Sequence, residues 1–276
     1  MNLAATFQYI RGERVGGYVL DSSATLGHVA LTIHNRGQEP ELFTSLDHAD
    51  FDRSWPLFMQ QDPNARLYYG EVDTVADYVL LAMDGDEPVA KAYSTPFAFG
   101  IPGREELPDA GWDQVIRWQH DDRLTGRDRN AATALEIVVK QERQGSGIAG
   151  LMVQALRDNA FRLGHRVLYA PVRPSQKSEE PETPMSEYAF RVRDDGLPYD
   201  GWLRAHVRAG GRIVKVCPLS MTIPGTLAQW RQWTGLPFDA DGPVIVPDAL
   251  SPVLVSLAQD AAVYVEPNVW VEHRKP

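Results

Sequence analysis

The chain has 276 residues, 43% apolar and 23% charged, a balance that suits one large soluble domain or two small ones and excludes a fibrous or disordered chain. Its formal charge of −10, with no basic run, speaks against a nucleic-acid partner. Cys217 is the sole cysteine, so no disulfide forms within the chain. No window approaches the roughly 18 apolar residues of a membrane span, and the start, MNLAATFQYIRGERVGG, lacks the apolar core of a signal peptide. The expectation is a cytoplasmic protein with no membrane partner.

In chain order, Thr6–Ile10 and His28–Ile33 alternate as strands, the second ending in an Asn35-Arg36-Gly37 turn. Asp47, His48, Asp50 and Asp52 cluster next, but their spacing fits no familiar ligand pattern, so they read as a solvated helix end and no metal is expected. Ser54–Gln61 reads as a helix stopped by Asp62-Pro63. Tyr78–Met83, Asp84-Gly85 and Val89–Tyr93 spell a β-hairpin, with Asp-Gly at its tip. Residues 98–130 form a long connection with a short helix around Trp112–Trp118. His120, Asp121 and Asp122 in it are exposed loop charges or substrate contacts.

Leu135–Gly164 organises the chain. The apolar run LEIVV meets a charged elbow, then a glycine turn, then an amphipathic helix with Ile148, Leu151, Met152, Ala155 and Leu156 on one face. Strand, glycine turn and helix start together make an anion cradle, because the first N–H groups of a helix have no partner within it and its dipole favours negative charge. Gly145–Gly150 matches the dinucleotide fingerprint G-x-G-x-x-G letter for letter. However, Lys140–Gln144 separate it from the strand, and no carboxylate ends the next strand, so a dinucleotide enzyme is a distant alternative.

Val139, the elbow and Gln144-Gly145-Ser146-Gly147-Ile148-Ala149 resemble the acyl-CoA signature of the GNAT superfamily of N-acetyltransferases. Gln144, Gly147 and Ala149 take the three defined places of Arg/Gln-x-x-Gly-x-Gly/Ala. Gln141 stands where proline is usual and Ser146 where a basic residue is common; neither departure touches the backbone.

After this stretch, Arg166–Ala170 reads as a strand and 171–198, with five prolines, as a loop. Asp200–Gly210 reads as a helix with Asp200 as N-cap. Arg212–Ile223 and Ala262–His273 are strands flanking an insertion, Gly225–Asp260, that carries an Ala228–Trp233 helix. The resemblance implies a single α/β domain over 1–276, with its core in about 28–276 and an extension in about 1–27. Its sheet is mixed and mostly antiparallel, with helices on both faces and a long insertion between the last two strands.

The resemblance further implies acetyl-CoA as co-substrate and direct attack by a small-molecule or peptide amine in a ternary complex. Backbone groups of Ile137, Val138 and Val139 would pair with pantetheine. N–H groups of Gln144, Gly145, Ser146, Gly147, Ile148 and Ala149 would hold the pyrophosphate, with an oxyanion donor near Val139. In the family a tyrosine often stands four residues before the glycine that closes the later helix. His206 stands there, so it is the candidate acid for the leaving sulfur. Glu136, between apolar neighbours, is a candidate base or a structural ion-pair partner, with Glu266 second.

The absent tyrosine keeps open a binding protein that holds acyl-CoA without turnover. Cys217 in its alternating strand reads as a buried small hydrophobe. No nucleophile elbow, P-loop or zinc pair is present. Trp202, Trp230, Trp233 and Trp270 line an acceptor pocket or fill the core. Arg173 and Lys177 meet an anion or are solvated. The oligomeric state reads as monomer or homodimer.

Overall fold

The computed structural model describes residues 18–20, 31–44, 46, 51 and 55–275. Its strands are β1 (Tyr18–Leu20), β2 (Leu31–Asn35), β3 (Val79–Asp84), β4 (Glu87–Phe97), β5 (Ala131–Val139), β6 (Val167–Val172), β7 (Arg212–Gly225), β8 (Gly242–Val244), β9 (Val253–Ser256) and β10 (Ala261–Arg274). Its helices are α1 (Pro40–Thr44), α2 (Ala65–Tyr69), α3 (Gly111–Leu124), α4 (Ile148–Arg162), α5 (Met185–Tyr188), α6 (Gly201–Arg208) and α7 (Leu227–Thr234).

The strands form one sheet in the order β1-β2-β3-β4-β5-β6-β10-β9-β8, with β7 also paired to β10. Among the described pairings only β5–β6 is parallel. That pair needs a crossover, and α4 supplies it. The predicted hairpin is β3–β4, and Gly85 at its tip has φ +60°, a left-handed turn conformation suited to glycine.

Two apolar layers cover the sheet. On one face Ile148, Met152, Ala155 and Leu156 of α4 and Leu203 of α6 pack on Ala132, Ala134, Leu168 and Val269. On the other, Tyr68 of α2, Trp112 and Ile116 of α3 and Trp230 of α7 pack on Leu81, Tyr93, Ile223 and Tyr264. Each helix buries one stripe, as its apolar spacing requires.

Some elements differ from expectation. Within Ser54–Gln61 the described helical structure is a 3-10 turn at Met59–Gln61. The helix expected over Trp112–Trp118 runs the full length of α3, because its Val115, Ile116, Trp118 and Gln119 are buried against the sheet. Residues 226–260 hold α7 and two short strands, and β9 extends the sheet beside β10. Thr6–Ile10 and the Asp47, His48, Asp50 and Asp52 cluster lie outside the described residues. So does the start of the His28–Ile33 strand, whose remainder belongs to β2.

Candidate active site

The parallel pair β5–β6 is joined only at Ala132–Leu168 and Thr133–Tyr169. Beyond those residues the two strands part. A bulge accompanies the parting: Tyr93 pairs with Glu136 and Ser94 with Ala134, which leaves Leu135 as the extra residue. The indole of Trp112 donates to the Leu135 carbonyl at 3.1 Å, replacing the lost ladder partner.

The backbone direction of β5 follows from its far end. The N–H of Lys140 donates to Val89 on the β4 side at 3.0 Å. Strand alternation then turns Val138 and Glu136 toward β4 and Ile137 and Val139 toward β6, across the opening. Val138, expected to share in pantetheine binding, is therefore corrected: its backbone groups face Lys91. The Val139 carbonyl accepts from the Gln144 side chain at 3.3 Å, so Ile137 is left with its peptide groups toward the gap.

The glycine turn is built as an anion cradle. Gly145 and Gly147 have φ +73° and +84°, left-handed values that let successive N–H groups converge. The Ser146 hydroxyl donates to the Arg143 carbonyl at 2.5 Å and fixes the elbow. The N–H groups of Gly145, Ser146, Gly147, Ile148 and Ala149 have no acceptor among the described residues, and no side chain caps the start of α4. The N–H of Gln144 donates to Gln141 at 3.3 Å and its side chain to Val139, so the expected pyrophosphate contact of its N–H is corrected: Gln144 ties the elbow to β5 instead. Arg143 is held by Asp84 and Glu87 from the β3–β4 tip.

A cavity of about 1090 Å³ runs from Gln144 through the strand opening to α2, α3 and β7. Glu136 stands in its wall. Its Oε1 accepts from Trp55 Nε1 at 2.7 Å and its Oε2 from Tyr69 Oη at 2.6 Å. Tyr69 is braced edge-on by Tyr93, with ring centroids 5.5 Å apart. Glu136 makes no ion pair among the described residues, so the structural-salt-bridge reading finds no partner there. Leu135 and Glu136 both pack toward α2 and α3, because the bulge lets two successive side chains share a face.

Glu266 is fully buried and ion-paired. It pairs with Arg173 at 2.9 Å and accepts from Tyr264 at 2.9 Å and Asn268 at 2.9 Å. Three donors, one of them a guanidinium, commit this carboxylate to structure, whereas Glu136 meets two neutral donors. Arg173 itself lines the cavity, its guanidinium 5.9 Å from the ring centre of Trp55.

On the other side of the opening, Trp202 and His206 of α6 line the cavity. The side chain of Asp200 accepts from the N–H groups of Trp202 and Leu203 and starts this helix as its N-cap. His206 Nδ1 lies 3.1 Å from His273 Nε2. Burial and the neighbouring ring push His206 down to about 3, and burial pushes His273 down to about 4. His206 is therefore neutral near pH 7 and lacks the second ring proton that the expected acid role requires.

The remaining candidates are structural. His120 meets Glu71; Asp122 is buried between Arg104 and Arg127 and caps the Ala98 N–H. Lys177 is buried and donates to the Glu180 and Leu250 carbonyls. Burial pushes the Cys217 thiol up to about 12, so it is no nucleophile. Trp230 and Trp270 are fully buried. Among the described residues no group of His, Cys, Asp or Glu is placed to hold a metal ion.

Sequence reading missed Trp55, Tyr69, Tyr93, Trp112 and Asp62. They come from four separate segments; local patterns put Tyr93 in the hairpin and Trp112 in a helix, but none showed that these side chains meet.

No family model matches the chain. Over 273 residues, 88% of this chain and 93% of the relative, it is 30% identical to an arginine N-acetyltransferase from Aspergillus versicolor. Among solved structures, the loading GNATL domain of CurA from Lyngbya majuscula superposes with a TM-score of 0.56 at 15% identity, over 88% of this chain and 97% of that one. The GphF GNAT-like decarboxylase in complex with isobutyryl-CoA gives 0.46 at 15% identity, over 88% and 98%. With its parted parallel strands and glycine cradle, the chain belongs to the GNAT superfamily of acyl-CoA-dependent N-acetyltransferases.

Proposed function

We propose that the enzyme acetylates a small-molecule amine of the arginine class, with acetyl-CoA on the α4–α6 side of the sheet opening and the amine on the α2–α3 side. The observation that carries this reading is the cavity that runs from Gln144, at the edge of the glycine turn, through the β5–β6 opening to the chamber around Glu136. The arginine class is taken from the relative, which acts on arginine by its name. No helix among the described residues is long and apolar enough to cross a membrane, and the reading keeps the cytoplasm as the site of action.

In this reading the N–H groups of Gly145, Ser146, Gly147, Ile148 and Ala149 receive the pyrophosphate. Pantetheine takes the place of a strand beside β5, bonded to Ile137 and, through the remaining N–H, Val139. The N–H of Ile137 is the oxyanion donor, because the strands part beside it rather than at the end of β5. An N–H fixed where charge develops contributes more to the transition state than to the bound ester.

Glu136 is the base. A carboxylate has about four acceptor sites, and Trp55 and Tyr69 use two of them while fixing the group. It takes the proton from the attacking nitrogen as the C–N bond forms and the C–S bond breaks, and the electron pair of that bond leaves on sulfur. His206 meets the sulfur side as a neutral ring that orders the site. The thiolate takes its proton from water.

The test is thiol release from acetyl-CoA with arginine, comparing the wild type with Glu136→Gln. Retention of turnover and of its pH dependence in the variant would remove Glu136 from the role.

A further inference from the structure

The mechanism above leaves one buried acidic group unused. Asp62 lines the far end of the cavity, among Met59, Ala65, Trp112 and Met221, and Asp113 lies behind it in the first turn of α3. They are 6% and 2% exposed. Asp62 Oδ1 accepts the Asn64 N–H at 2.7 Å, and Asp113 Oδ2 accepts the Thr222 N–H of β7 at 3.1 Å. Their other oxygens, Asp62 Oδ2 and Asp113 Oδ1, receive no N–H or ordinary hydroxyl among the described residues and are left to each other, with the Asn64 side chain beside Asp62. Two acids buried against each other with one proton between them are costly, and a cavity edge is where an arriving cation relieves that cost.

We infer that Asp62 and Asp113 anchor a second cationic group of the acceptor, a guanidinium or ammonium carried some distance from the nitrogen that is acetylated. This deepens the arginine-class reading and rests on it. The two carboxyls interact directly, which two adjacent acids do by sharing one proton. Desolvation and Asp62 push Asp113 up to about 8, so Asp113 holds that proton near neutral pH.

A cation docked on Asp62 reverses the balance. It favours ionisation of both acids, and the shared proton passes to solvent as the cation docks on Asp62 with the Asp113 charge behind it. The charged group that faces the pair is Arg117 of α3, whose Nε donates to Asn64 Oδ1 at 3.0 Å; α2 and β7 contribute only N–H groups. The apolar side chains around Asp62 suit a weakly hydrated guanidinium and the methylenes behind it.

The experiment is calorimetric titration of the CoA-loaded protein with arginine and with its uncharged isostere citrulline, in two buffers of different ionisation enthalpy. Arginine is expected to bind at least about tenfold tighter than citrulline and to release up to about one proton. Asp62→Asn should bring arginine to the citrulline level and leave citrulline unchanged. Asp113→Asn, which donates permanently to Asp62, should weaken arginine and abolish proton release.

Equal binding of the two ligands, or of arginine by wild type and Asp62→Asn, would overturn the inference. So would variants that lose thermal stability but keep the wild-type preference, the signature of a purely structural pair. Arginine binding with proton release but no thiol release from acetyl-CoA would instead overturn the acceptor reading and leave the cation anchor standing.

Discussion

Trp112 donates its indole N–H to the carbonyl of Leu135, the extra residue at which β5 parts from β6. A tryptophan on α3 thus holds open the gap in the sheet. Its own backbone N–H is held by Ser220 at 3.0 Å, and Gly111 before it has φ +26°, where a Cβ would stand only 2.3 Å from the Ser220 hydroxyl. Trp112→Phe keeps the ring and removes the donor. The expected result is a loss of about 1–2 kcal/mol in stability and about tenfold in kcat, with acetyl-CoA affinity within about threefold. Unfolding in urea and steady-state kinetics check it.

Glu136→Gln keeps the acceptor toward Tyr69 or Trp55 and removes the base. A fall in kcat of about 10²–10⁴-fold is expected, with acetyl-CoA binding unchanged. A higher KM for amine with unchanged kcat would make Glu136 a binding group only.

The cradle depends on backbone conformation rather than on side chains. Gly147 has φ +84°, which a β-branched residue adopts only with strain. Gly147→Val should weaken acetyl-CoA at least about tenfold by calorimetry while the thermal transition falls only slightly. Ser146→Ala should weaken it less, because the Ser146 hydroxyl points back to Arg143 rather than at ligand.

The buried pair His206 and His273 ties stability to pH. Both are held neutral in the folded chain, at about 3 and about 4, whereas an unfolded histidine takes its proton near 6.5. Stability from this pair is complete above pH 6.5 and is lost as pH falls toward those values, since the unfolded chain binds the extra protons. The urea midpoint should therefore drop between pH 7.5 and pH 5, and drop less in a His206→Asn, His273→Gln double variant. The same neutrality predicts that kcat shows no limb near 6.5 from His206.

The sequence made the cradle legible because its parts are adjacent: a β-branched run, two glycines and an amphipathic helix within 30 residues, Leu135–Gly164. The β3–β4 hairpin and the Asp200 cap were legible for the same reason. The acceptor chamber was not. Trp55 and Trp112 read only as parts of helices and Asp62 as a helix stop, Tyr69 drew no reading, and only the bulge at Leu135 brings Glu136 to face them. Alternation alone could not foresee that bulge; the resemblance names Val138 with Ile137 and Val139, although alternation from Lys140 turns its backbone toward β4. The reading of His206 rests on its place in the helix alone, but its proton state is set first by burial and then by His273, 67 residues away.

The most direct test is thiol release from acetyl-CoA with arginine as acceptor, with mass spectrometry of the product. Thiol release should depend on arginine and be matched by arginine carrying one acetyl group, with both lost in Glu136→Gln. Acetyl-CoA binding without arginine-dependent thiol release would contradict the proposed function.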